Sequence, residues 1–229
     1  LFYIDLVNTM KSIQTISILL LALIMSAQTS AQRRLTEATI SYDIVINSEN
    51  KSPQAADLLD GATSVIYLKG SSSRSEMVSS LGTQATIVDG KTREVTVLKS
   101  YGDQQYMIKL TPDNWKQMNR KYENVIFTFL EEYKVIAGYN CQKATGRLTA
   151  STSFTVFFTR DLVPVNKDFQ YLTRLLPGLA MQYEAAIGGA LVTYTVSSIN
   201  FNPVPQTKFD LPRSGYRVMT YEESFGKGK

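Results

Sequence analysis

From Thr39 onward the chain alternates. Ile40, Tyr42, Ile44 and Ile46 are interleaved with Thr39, Ser41, Asp43 and Val45, the period-two pattern of a strand with one buried face. Further stretches of strand-forming residues follow: Ser64 to Lys69, Arg74 to Leu81, Thr86 to Val88, Glu94 to Leu98 and Gln105 to Leu110. Turn signals separate several of them, notably Asp89-Gly90 and Tyr101-Gly102-Asp103. Parallel strands need crossovers of about a dozen residues or more, and these gaps are shorter, so the strands must pair antiparallel. That pattern constrains the fold more than any other feature and predicts a mainly β domain.

One helix interrupts the meander. Thr111 can cap it, Pro112 sits at the first helical position where its missing donor is harmless, and Asp113 suits the positive end of the dipole. Trp115, Met118 and Tyr122 form one apolar stripe, and the helix is expected to end near Asn124. Strands resume with Val125, Phe127 and Phe129. A pair is expected around Gly138 (Glu132 to Ala137 with Tyr139 to Arg147), then Phe154, Val156 and Phe158 alternate. Short helices are expected at Gln54 to Asp60 and within Val163 to Leu176. A turn falls at Leu176-Pro177-Gly178-Leu179 and a strand at Leu191 to Ile199. Met181, Tyr183 and Ala185 share one face of the intervening strand. From Pro203 the chain is polar and proline-containing, and a mobile tail is expected.

Ahead of the β region, Lys11 is followed by an apolar run, Ile16 to Met25, interrupted by Ser17 alone, and then by small residues with Thr29 and Ala31 where a signal peptidase reads. A spanning helix needs about 20 apolar residues, and this run is ten residues long. The expectation is a cleavable signal peptide from Met10, with Leu1 to Thr9 lying upstream and cleavage before Gln32. Residues 32–229 would then be one exported domain, periplasmic or secreted, with no transmembrane segment after processing. No cysteine follows the apolar run, so the lipid-acylated type of signal is absent.

Composition closes several function classes. The chain has no histidine and one cysteine, Cys141. Histidine triads, Cys-His dyads and ordinary zinc sites are therefore unavailable, and no internal disulfide can form. The net charge of +4 is scattered, which argues against a nucleic-acid face. Cys141 is expected to be a buried, inert thiol. Ser48-Glu49-Asn50-Lys51 has the spacing of a serine acylase motif but no partner motif, and chance supplies it. Glu131-Glu132, as neighbours in a strand, face opposite sides and are expected at a strand end in solvent. Asp57 and Asp60 read as surface charges. Asp89-Gly90-Lys91-Thr92 reads as a turn, since the glycine spacing of a phosphate loop is missing. No metal site, cofactor site or catalytic constellation is expected.

Three segments carry a resemblance. Ala137-Gly138-Tyr139-Asn140-Cys141-Gln142-Lys143-Ala144 resembles a recurrent strand in exported bacterial proteins of unknown function. Thr159-Arg160-Asp161-Leu162, with Leu176-Pro177-Gly178-Leu179-Ala180-Met181-Gln182-Tyr183, resembles the stretch that follows in them, and Phe209-Asp210-Leu211-Pro212-Arg213-Ser214-Gly215-Tyr216 resembles their closing motif. These are the GLPGLI-type proteins and a neighbouring family. Leu175-Leu176 before Pro177 departs from the GLPGLI pattern and favours the neighbour. The resemblance implies the fold of periplasmic lipoprotein carriers (LolA-like): a curved antiparallel sheet forming an unclosed half-barrel, with one or more helices packed in its concave face. It implies no reaction.

On such a fold, a loosely seated helix leaves room for an acyl chain. The candidate ligand-binding residues are Trp115, Met118, Tyr122, Met107, Phe127, Phe129, Met181 and Tyr183. The expected function is non-catalytic binding of a lipid or lipidated peptide. The alternative is an envelope interaction or assembly protein with a packed core, a protein partner and no ligand.

Overall fold

The computed structural model describes residues 32–46, 61–187 and 190–225. The expected signal peptide, the expected helix at Gln54 to Asp60 with its two aspartates, and the Ser48 to Lys51 motif lie outside the described residues. From Arg33 onward the chain forms one compact unit.

Its frame is a large sheet built from β2 (Glu37–Ile46), β3 (Thr63–Lys69), β4 (Ser72–Ser79), β5 (Gly82–Val88), β6 (Val95–Tyr101), β7 (Gln104–Leu110), β8 (Ile126–Ile136), β9 (Tyr139–Arg147), β10 (Ser153–Thr159), β12 (Leu179–Ile187), β13 (Ala190–Asn200) and β14 (Arg217–Met219). Among the described residues the order is β14-β7-β6-β5-β4-β3-β2-β13-β12-β10-β9-β8. Every pairing is antiparallel except the β14–β7 edge, which is parallel. The short strands β1 (Arg33–Leu35) and β11 (Leu162–Pro164) pair in parallel outside this sheet. The two end strands do not pair with each other, so the sheet is not closed into a barrel.

The helix α1 (Pro112–Met118) begins as its sequence dictates. Asn114 N–H donates to the Thr111 hydroxyl at 3.2 Å, and Thr111 N–H donates back to the Asn114 side chain at 3.1 Å. The helix stops earlier than its apolar stripe suggests. Asn119 donates both its backbone N–H and its side-chain amide to the Trp115 carbonyl, at 3.1 and 2.9 Å, closing the last turn. Residues Arg120–Tyr122 then continue as a tighter 3-10 turn.

The placement of this segment requires the sheet to bend. Trp115 and Met118 pack on Val88, Val95, Val97, Ile108 and Leu110, from β5 to β7. Tyr122 packs on a cluster that includes Ala144, Phe154, Val156 and Phe158, from β9 and β10. In a flat sheet, β6 and β10 would stand seven strand spacings apart, about 34 Å. The seven residue steps from Trp115 to Tyr122 rise only about 10 Å as a helix. The sheet therefore curls round its cover, and α1 sits on the face where Ile40, Ile66 and Val97 point.

Several details differ from the sequence reading. The pieces Val125 to Phe129 and Glu132 to Ala137 are one strand, β8, with a register shift between Phe129 and Tyr133. Glu131 and Glu132 sit in that bulge rather than at a strand end. Glu131 accepts from the Tyr133 hydroxyl and Glu132 from Lys143. Asp89-Gly90 opens a six-residue loop, in which the Asp89 carboxylate accepts from the Lys91 and Thr92 backbone N–H groups at 2.7 and 2.8 Å. The expected helix within Val163 to Leu176 is a 3-10 segment, Asp168–Thr173.

The segment from Pro203, expected to be a mobile tail, holds a 3-10 turn (Gln206–Phe209), β14 and a short helix α2 (Tyr221–Phe225). Its first part, to Tyr216, runs across the face opposite α1, whereas Met219 and Tyr221 pack on the β5–β7 cluster that also takes Trp115 and Met118. Phe209 and Tyr216 pack on Ala85, Ile87, Leu98 and Met107, and Lys69 donates to the Val204 carbonyl at 2.6 Å. An apolar outer face on β5 to β7 needs a cover, and polar composition concealed which segment supplies it.

Candidate ligand-binding site

The floor of the site is the bent face of β3, β4, β5, β12 and β13. Register brings Ser64, Ile66, Ser75, Met77, Gln84 and Thr86 side by side on the first three strands. Tyr183 stands opposite Tyr194 on the other two. The roof consists of α1 with its 3-10 extension and the segment Phe169 to Thr173. Between roof and floor lies a cavity of about 330 Å³. A second cavity of about 370 Å³ adjoins it, lined by Leu148, Phe154, Leu172 and Leu191 with Lys121 and Glu184 among its polar residues. Tyr122, Leu172, Ala185 and Ala186 line both. Together they hold about 700 Å³, within the range of about 300–1,000 Å³ that small-molecule sites occupy.

The roof is tied to the floor through a polar link. Gln170 donates its side-chain amide to the Tyr42 hydroxyl at 2.6 Å, and that hydroxyl donates to the Ala180 carbonyl at 3.1 Å. Aromatic rings continue the contact. Trp115 meets Tyr171 edge to face with centroids 6.2 Å apart, Tyr183 stacks on Tyr194 at 4.9 Å, and Tyr42 meets Tyr183 at 6.0 Å.

Burial sets the electrostatics. It raises the Tyr42 and Tyr183 phenols above their ordinary range and pushes Tyr194 up to about 12. These hydroxyls stay protonated at neutral pH and act as hydrogen-bond partners, not bases. Cys141 is fully buried, its thiol pushed up to about 11 by desolvation, and it donates to the Tyr139 carbonyl at 3.3 Å. Among the described residues no group of three or more Cys, Asp or Glu side chains is placed to hold a metal ion. Nor is any helix among them long and apolar enough to cross a membrane.

The structure distributes the sequence-derived candidates unevenly. Trp115, Tyr122 and Tyr183 line the first cavity, and Tyr122 lines the second as well. Met118 packs beside Trp115 on the β5–β7 cluster. Phe127 packs edge to face on Phe154, which lines the second cavity. Phe129 is exposed on β8, its ring 5.4 Å from Phe158. Met181 is wholly buried in the main core. Met107 lies on the opposite face, under Phe209 and Tyr216.

Sequence reasoning missed the polar floor (Ser64, Ser75, Gln84, Thr86) and the roof residues Phe169 to Thr173. The polar face of β4 and β5 reads as a solvent face, and only a cavity above it gives inward Ser, Gln and Thr a place.

No family model matches the chain, and no curated protein matches it. Solved structures with a related outline exist. An uncharacterised conserved protein from Thermus thermophilus is 11% identical with a TM-score of 0.46, covering 81% of this chain and 90% of that one. The Mycobacterium tuberculosis lipoprotein LppX is 12% identical with a TM-score of 0.41, covering 74% and 88%. PNGF-II is 13% identical with a TM-score of 0.47, over 83% of this chain, which spans about a third of the PNGF-II chain. The functional reading therefore rests on the cavities themselves.

Proposed function

We propose that this protein is a non-catalytic carrier of an apolar or amphiphilic molecule, a lipid or lipidated peptide, held between the bent sheet and its cover. The proposal includes export of a single domain, residues 32–229, to the periplasm or beyond. One observation carries the reading: the roof leaves two adjoining cavities unfilled. Hollows of 330 and 370 Å³ are of the size that small-molecule sites occupy, which supports a guest. The second cavity is walled mainly by aliphatic and aromatic side chains, and each CH₂ buried there favours binding by about 0.8 kcal/mol. The first has a polar floor suited to the head or linker of an amphiphile.

The test is native mass spectrometry of protein purified from a membrane-bearing host, followed by lipid extraction. A co-purifying amphiphile is expected, and the stripped protein should melt higher on adding fatty acid or phospholipid. No extracted lipid together with an unchanged melting temperature overturns the carrier reading.

A second reading, an envelope interaction protein, has its own observation. The end strand β8 exposes Val135 at 71%, Ile126 at 56% and Tyr133 at 49% along an edge that, among the described residues, pairs only with β9. Exposed apolar edge strands are sites for strand addition by a partner. A photo-crosslinker at position 135, used in intact cells, would yield a discrete adduct on this reading and none on the first.

A further inference from the structure

A third, smaller cleft of about 180 Å³ lies beside the first cavity, lined by Val88, Arg93, Pro112, Trp115, Lys116, Asp168, Tyr171 and Arg174. Trp115 and Tyr171 line both spaces, so their edge-to-face pair is the partition between them. The geometry points to this cleft as the receptor for the anionic head, a phosphate or carboxylate, of the amphiphile whose chain fills the cavities. This inference rests on the carrier reading and assigns its ligand a charge.

Three cations converge here against one carboxylate. Asp168 is engaged by Arg93. Lys116 is 65% exposed and lies 3.9 Å from Glu123, so even with that carboxylate counted one positive charge is in excess. The Arg174 guanidinium lies over the Tyr171 ring at 4.0 Å, and its Nε is buried without a hydrogen-bond partner. The Trp115 indole N–H is likewise buried and unpartnered. Buried donors in folded proteins are nearly always satisfied, and an orphan asks for an acceptor. A phosphate or carboxylate in the cleft supplies acceptor oxygens to the Arg174 guanidinium and the Lys116 ammonium group that line it, and charge-assisted bonds to a guanidinium are the strong ones. No comparable excess of cations borders the second cavity, where Lys121 has Glu184 beside it in the lining. The row cleft, first cavity, second cavity thus grades from cationic through mixed to apolar, the polarity of a single-headed amphiphile.

The experiment compares three probes by calorimetry on the stripped protein: dodecyl phosphate, dodecanol and inorganic phosphate. Dodecyl phosphate is expected to bind at least about tenfold tighter than dodecanol, the worth of one charge-assisted hydrogen bond, and inorganic phosphate not at all at the same concentration. In the double variant Lys116→Gln, Arg174→Gln the phosphate-to-alcohol affinity ratio should fall towards one. The fold of that variant is checked by circular dichroism and by its dodecanol affinity. Equal affinity of the wild type for dodecyl phosphate and dodecanol overturns the headgroup inference alone. Inorganic phosphate binding as tightly as dodecyl phosphate marks a free-anion site and also overturns it. Failure of both dodecyl probes to bind overturns the carrier reading with it. A ratio unchanged in the double variant removes the cleft from the argument.

Discussion

Gln170 and Tyr42, 128 positions apart, are joined by a 2.6 Å hydrogen bond that fastens the roof of the cavity to its floor. The Tyr42 ring is almost wholly buried in the main core, while Gln170 lines the cavity. The bond therefore couples the seating of the 3-10 segment Asp168–Thr173 to the sheet.

Removing the Tyr42 hydroxyl should loosen this seating. Tyr42→Phe leaves the Gln170 amide and the Ala180 carbonyl each without this partner, and an unsatisfied buried group costs about 1–3 kcal/mol. Denaturant unfolding should show a loss in that range. Gln170→Ala should cost less once Tyr42→Phe is present, because the two share one interaction. Strict additivity of the two losses would mean the tether contributes nothing.

Filling the hollow should separate ligand binding from stability. Ala185 lines both cavities and stands opposite the buried Val192. Ala185→Leu adds atoms to open space, so the melting temperature should hold or rise. Excluding two CH₂ groups of a ligand at about 0.8 kcal/mol each should weaken fatty-acid binding by roughly tenfold or more. An unchanged affinity would place the guest elsewhere.

The strand order along the sequence was legible because alternation and turn chemistry are local. Ile40 to Ile46, the Gly138 hairpin and the Thr111 cap all appear where their residue types require. The short motifs were legible as motifs, and the fold supplies their reasons. Gly138 takes the positive φ of the β8–β9 turn, and Phe209 and Tyr216 cover the outer face of β5 to β7. Trp115 and Tyr122 could be read into the site from their stripe. Non-local partners could not be read. Nothing near Met107 announces that Phe209, over a hundred residues later, will cover it. Ser75 and Thr86 look solvent-facing until the sheet bends over them. Residues Phe169 to Thr173 lack the 3.6 period that would mark a roof helix, because they form a kinked 3-10 segment.

Gly178 in the Leu176-Pro177-Gly178 turn should tolerate no side chain. A Cβ there would lie 1.8 Å from the Thr159 carbonyl oxygen, a backbone atom of β10 that cannot rotate away. Gly178→Ala should therefore exceed the usual overpacking cost and lower stability by about 3 kcal/mol or more. Gly102 is the contrast. Its φ of +56° suits asparagine and its Cβ direction is open, so Gly102→Asn should cost at most about 1 kcal/mol. Denaturant midpoints of the two variants, measured side by side, check both values. Equal midpoints would contradict the close approach at Thr159.

Alkaline pH should unfold this protein through its buried phenols and thiol. Tyr194 rises from 10.0 to about 12 and Cys141 from 9.0 to about 11 on folding, with Tyr42 and Tyr183 shifted the same way. A folded pKa above the unfolded one means that the native state holds its proton more tightly. The stabilisation is complete below the unfolded pKa and is lost as pH climbs through the window towards the folded one. Stability should thus be flat up to about pH 9 and then fall, first from Cys141 and, from about pH 10, from the tyrosines as well. Tyr194→Phe removes one ionisable group and should make the decline above pH 10 shallower, and Cys141→Ala should delay its onset. Urea midpoints recorded from pH 8 to pH 11 test this directly. A midpoint that stays level across that range would show that these side chains keep water about them in the native state, which would contradict their burial.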